Sequence, residues 1–546
     1  SMTQSFSSGS TIFGDSGDDT HQFTGSLSIS GSSISLGDGN NNVVLGNNVN
    51  LNVGGATNFT AVGYQAAGGN EGTGIAGQDI TVVGANAGKM LQQAPHRTTL
   101  FGASAGAALN VGLENTFIGA YAGRYLTTAD KNVFLGTYAG YATVDVDNAV
   151  IIGYKAGYAN MTSGADGTIA IGYEASYALT SGANQVSIGY QAGKALTTLA
   201  NSVFIGYQAG LEHTGGNNLA IGDRAFASTN AGSNSLASTK NVAVGNKALG
   251  GIFTDAQVDG TVAIGYYALG YATMGGSDYN IAIGHESQYS NGGGQNVAIG
   301  GNTLRAADGT ETGNVAIGTS VMDVLNNDGS DYNTVVGNYA VRGGTGVISH
   351  NTVMGYQGMD QVGNHSSIKN TFIGYDAGGG AYAGDVTGNV GIGYQSLNGL
   401  MNGANYNVAL GYVALSVVTT GDTNIGIGVS AGTDITTGSD NTIVGSSAGV
   451  LMTTTSNTVL IGKSAGAAIN SADADGTIAI GYAALEVMTS GQYNTAVGYR
   501  AGDNVTTGDQ NTLIGYDAGS RGGSADGITT GTGNTALGYR AVGGSS

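Results

Sequence analysis

Apolar and polar positions recur along this chain in a phrase that returns most often every 17 residues. Residues 115–123 read NTFIGAYAG, 370–378 read NTFIGYDAG and 511–519 read NTLIGYDAG, with looser copies between them. Aligned on the glycine that closes "x-I-G", 28 units appear, spaced by 16 to 23 residues within residues 41–542. The residue before that glycine is apolar in all 28 units, and three before it every unit has Val, Ile, Leu or Thr. Side chains two apart share one face of an extended chain, and branched residues at that period predict a short strand. So short a strand does not stand alone. Stacked coil upon coil, such strands form a continuous sheet in which each coil is stabilised by its neighbours. The prediction is all-β, a β-solenoid (parallel β-roll) of about 28 coils.

The columns of this alignment predict where side chains go. Ile118, Ile171, Ile205, Ile373, Ile480 and Ile514 are expected to form the coil core. The position between the two branched columns faces the other way and, if washed by water, should be polar. Instead, 25 of 28 units are apolar there. Phe117, Phe134, Ile151, Phe204, Phe372 and Leu460 are therefore expected to pack against another subunit. Half-burying each such side chain contributes about 1 kcal/mol. The alternative is a flattened coil that covers this face with its own return strand.

Asn stands four before the glycine in 18 units, among them Asn115, Asn132, Asn314, Asn370, Asn441 and Asn511. It predicts a turn corner whose side chains hydrogen-bond along a ladder. Tyr follows the glycine in 14 units, including Tyr154, Tyr173, Tyr190, Tyr207, Tyr375 and Tyr516. The column keeps step with the core and so reads as a ladder sealing the coil edge, with a sugar-stacking stripe as the functional alternative.

Composition narrows the class. Of 546 residues, 100 are Gly and one is Pro, which excludes collagen, a fold that needs proline and a three-residue glycine period. With 41% hydrophobic and 10% charged residues the chain is no solvated disordered tail. Cys is absent, so disulfides, thiolate metal sites and cysteine nucleophiles are excluded. The net charge of −20 opposes nucleic acid and anionic lipid as partners. No apolar run approaches the roughly 18 residues of a membrane span, so insertion into a membrane is not expected. Ser1–Met2 reads as the scar of a removed tag, residues 3–40 as an attachment or capping segment, and 543–546 as a tail.

The unit N-x-V-x-I-G-x-x-A, with its Asn corner, Ile–Gly bend and small Ala column, resembles the head repeats of trimeric autotransporter adhesins. That resemblance implies three chains wrapped as left-handed parallel β-rolls about a common axis, and attachment to host surfaces. The repeats here are longer than in those heads. The opening GSTIFGDSGDDTHQFTGSLSISGS (9–32) and the Tyr-rich IGYxAG units resemble fibre and structural proteins of marine bacteriophages. This second resemblance implies a virion fibre held at its N-terminal end by a baseplate.

Candidate chemistry is sparse. Acidic clusters at 145–148, 327–331 and 473–476 have oxygen donors for Ca2+, yet lack the EF-hand loop, and scattered turn carboxylates are the plainer reading. The densest polar group, GDSGDDTH at 14–21, suits attachment better than a metal. Threonine pairs such as Thr436–Thr437 sit in turns, which argues against an ice-matching array. The histidines 21, 96, 213, 285, 350 and 365 fall in unrelated columns, and no catalytic set recurs. Neither a catalytic nor a cofactor site is expected; a glycan depolymerase with paired carboxylates on the coil surface is the contrasting alternative. The expectation is a homotrimeric fibre, extracellular on a virion or a bacterial surface. It binds a cell-surface glycan or protein receptor, through loops where the ladder is interrupted: 89–98, 223–241, 246–260 and 520–533.

Overall fold

The structure, a computed structural model, describes residues 41–542 apart from 50–54, 70–74, 93–94, 199, 228–236, 254–256, 275–278, 291–292, 306–310, 324–328 and 521–527. The attachment segment 3–40, the 543–546 tail and, within the expected binding loops, residues 93–94, 228–236, 254–256 and 521–527 lie outside the described residues.

The chain is an all-β parallel solenoid, without an α-helix among the described residues. Each coil contributes one strand to a single 28-stranded sheet. Pairing is parallel and in register by column: Thr116 lies opposite Val133, Phe117 opposite Phe134 and Ile118 opposite Leu135. The same register carries on to Val150, Ile151 and Ile152. Ile348–Ser349, Ser367–Ile368 and Val386–Thr387 build a second, three-stranded sheet on another side of the coil.

The strand faces are the reverse of the sequence expectation. Phe117, Phe134, Ile151, Phe204, Phe372 and Leu460, expected at a subunit contact, are 0% exposed and belong to the chain's own core. Ile118 and Ile514, expected inside, are each 37% exposed, and Ile171, Ile205, Ile373 and Ile480 are half-buried on the outer face. The reason is volume. A coil this narrow accepts one inward side chain per strand, completed by small or single residues from its other sides. In the coil 115–131 these are Asn115, Phe117, Ala122, Leu126 and Ala129, all buried.

Inward residues are matched for size. Where the middle strand residue is large, the position four after the motif glycine is Gly: a Cβ on Gly123 would lie 2.9 Å from the Phe117 ring, and one on Gly378 2.8 Å from that of Phe372. Where the strand residue is Ala, that position is large in most units, as in Ala243 with Leu249, Ala263 with Leu269 and Ala479 with Leu485, all buried; Ala61 with Ala67, Ala170 with Ser176 and Ala496 with Gly502 depart from this. Together the two positions fill one layer to the density that interiors require.

The motif glycine is demanded by the backbone. Its φ is +133° at Gly136 and +137° at Gly119, a region that L side chains rarely adopt. A Cβ on Gly136 would meet the Gly153 carbonyl oxygen of the next coil at 2.6 Å. Successive coils touch backbone to backbone here from Gly46 to Gly515, while Gly538 on the last coil keeps only the positive φ, +119°.

Candidate functional site

The outer face of the 28-stranded sheet is the most extended chemical feature of the molecule. It presents two columns per strand, Thr116 and Ile118 in one coil, Val133 and Leu135 in the next. Several members are well exposed, among them Phe101, Leu135, Met354 and Leu410. At about 4.8 Å per strand the 28 strands run for roughly 130 Å, and three residues at about 3.3 Å each make the strip some 10 Å wide, a footprint on the order of 1,000 Å². One column of the strip is apolar throughout and the other is Val, Ile or Leu in 17 units and Thr in 11; monomeric proteins rarely expose a contiguous apolar patch beyond a few hundred Å².

Tyrosines border this strip in 14 of the 28 units, two residues beyond the strand end. Tyr154, Tyr173, Tyr190 and Tyr207 stack with ring centroids 5.5, 5.0 and 5.2 Å apart. Tyr356, Tyr375, Tyr394 and Tyr412 repeat the arrangement, as do Tyr482, Tyr499, Tyr516 and Tyr539. These rings are exposed, Tyr154 by 41%. Each ring spends its faces on its neighbours, so the column presents edges and hydroxyls outward. A second stack, Tyr141, Tyr158 and Tyr177, stands in a different register of the coil. The sequence alignment on the glycine did not reveal it because those tyrosines lie five residues past that glycine.

The Asn corner is buried and fully used. The Asn333 side-chain carbonyl accepts from the Asn351 backbone N–H at 2.9 Å and from its side-chain amide at 3.1 Å. Asn333 Nδ2 donates to the Ile348 carbonyl at 2.6 Å. The relay runs unbroken from Asn280 to Asn441, through Asn314 and Asn370. Shorter runs link Asn115 to Asn132 and Asn511 to Asn494 and Asn534. The residue before each Asn is left-handed, at φ +60° for Lys131 and Lys369.

The acidic turns considered for Ca2+ are part of a parallel relay. Asp147 accepts from the Asp130 N–H at 2.7 Å and donates its own N–H to Asp166 at 2.9 Å. Asp331 accepts from the Thr312 N–H at 2.6 Å, and Asp475 from the Ser456 N–H at 2.7 Å. Threonines in the turns do likewise: Thr419 Oγ1 donates to the Thr436 carbonyl and Thr436 Oγ1 to that of Thr453, each at 3.0 Å. Among the described residues no group of three or more His, Asp and Glu is placed to hold a metal ion. His285 stacks on Tyr266 and His213 on Phe226. GDSGDDTH, with His21, lies outside the described residues.

No protein-family profile matches the chain, and no curated protein matches it in sequence. Among the described residues no helix is long and apolar enough to cross a membrane.

Proposed function

We propose that the protein is a structural fibre that assembles as a homotrimer through the outer strand face and attaches to a cell surface, as part of a bacteriophage tail fibre. The observation that carries this reading is the outward apolar strip, which keeps an apolar residue before the motif glycine in all 28 units although that residue faces out. Coil closure does not require it; single exposed apolar residues are ordinary, but a continuous column of them along the whole sheet is not. A footprint on the order of 1,000 Å² exceeds the roughly 800 Å² each partner contributes to a stable interface. A second copy suits it best, because only a partner with the same axial repeat meets the strip strand for strand. Three copies around an axis each cover one such face, and no strip is left over.

The N-x-V-x-I-G unit supports a bacterial adhesin head as the second reading, with the same rod and the same face. Genes beside this one separate the two. Negative-stain microscopy with whole-cell binding tests the proposal: a rod on the order of 130 Å that binds host cells is expected from 28 strands at about 4.8 Å each. Compact monomers, or rods that bind no cell, overturn it.

A further inference from the structure

One coil past Tyr177 the second aromatic stack stops, because Lys194 and then Leu211 occupy the following rungs. Tyr177 lies flat on Tyr158, centroids 5.1 Å apart and planes 1° from parallel; no aromatic follows it, and the Lys194 ammonium lies over part of the ring. Beyond it opens a groove of about 400 Å³, lined by Tyr177, Gln191, Lys194, Ala195, Leu211 and Glu212. Its polar groups are held in place from behind. Lys194 Nζ is 2.7 Å from Glu174 Oε2 and 5.9 Å from the Tyr177 ring centre. Gln191 Nε2 donates to Glu174 at 3.0 Å, and Gln208 donates to Gln191 at 3.0 Å. Burial alone would raise the Glu174 carboxyl, but the hydrogen bonds from Lys194 and Gln191 and the charge of Lys194 outweigh it and hold it low. Glu212 has no such support, and partial burial pushes its carboxyl above the ordinary range.

We propose that this groove binds a neutral saccharide unit, its apolar ring face on Tyr177 and Leu211 and its hydroxyls donating to Glu212. A sugar ring is apolar on one face and hydroxylated at its rim, which is the pattern of this groove. An anionic ligand is disfavoured twice: Lys194 is already neutralised by Glu174, and the chain carries a net charge of −20. The inference rests on the adhesive reading and names the chemistry of one receptor contact.

Saturation-transfer NMR on the full chain tests it, with methyl glycosides of glucose, galactose and N-acetylglucosamine as probes and sialic acid as the anionic control. Transfer to at least one neutral glycoside and none to sialic acid is expected. Tyr177→Ala should weaken that glycoside by about tenfold, the scale of one stacked ring, and Glu212→Gln should weaken it too, with circular dichroism unchanged in both. Absence of transfer, or equal transfer in the variants, overturns the groove. Cell binding by the wild type with no glycoside transfer overturns the groove and leaves the adhesive reading standing. Glycoside transfer lost in both variants, with no cell bound, supports the groove and sinks that reading.

Discussion

The column of Phe117, Phe134 and Ile151 and the column of Ile118, Leu135 and Ile152 run side by side along the same strands, and they obey different rules. The inner column varies from Gly391 and Ala409 to Phe372, because each residue has only to fill its layer with its partner across the coil. Gly391 is opposite Phe372 in the ladder, and a Cβ there would meet that ring at 2.8 Å. The outer column scarcely varies, holding Ile, Val, Leu, Met or Phe in every unit. Variation tracks a chain that can compensate within itself. Constancy at an outward position points to a demand from outside the chain.

The contrast can be broken at several points, beginning with the backbone contact that both columns depend on. Gly136→Val should cost more than about 4 kcal/mol, since it combines a forbidden φ with a clash against Gly153. Limited proteolysis would show coils opening around residue 136. Next in size is the inner column. Phe134→Ala empties a layer and should cost about 3–5 kcal/mol in thermal unfolding. Adding Gly140→Leu should restore part of that loss, because Leu at that position opposite Ala is how the Ala243–Leu249 layer is filled, and Leu249 is left-handed too, at φ +52° against +59° for Gly140. If the double variant is less stable than Phe134→Ala alone, size-matching across the coil is wrong. Smaller again is the corner. Asn407→Ala strips partners from the Asn424 N–H and the Gly421 carbonyl and should cost about 1–3 kcal/mol, read as faster amide exchange at Asn424.

Much of the fold is legible in the sequence, and the reason is repetition. Columns such as Asn370, Ile373 and Gly374 recur in enough units to reveal strand, corner and bend without any long-range information. Which face of the strand points inward is harder to read. Alternation assigns faces only when one is polar, and here both Phe117 and its neighbours Thr116 and Ile118 suit a core. The signal that decides it lies between columns: Phe117 with Gly123, against Ala243 with Leu249, shows that the middle position shares a layer with a residue across the coil. The Asn ladder is legible in its column, while the Asp147 carboxylate reads only as a scattered turn acid, because its backbone partners sit 17 and 19 residues away. The groove at Tyr177 and Glu212 arises where a stack ends, an event at a single place that leaves no periodic trace.

The smallest effect on the coil itself is expected from the outer column, and it is the most telling. Ile171→Lys, Ile205→Lys, Ile373→Lys and Ile480→Lys together place charges on half-buried outward positions that coil closure does not need. Sedimentation equilibrium of wild type and this variant, with circular dichroism alongside, puts the outer face to a direct test. The wild type should have three times the 54.0 kDa mass of the chain, and the variant should be a folded single chain with an unchanged β-spectrum. A wild type that sediments as one chain, or a variant that keeps the trimer mass, would contradict the assignment of this face to assembly.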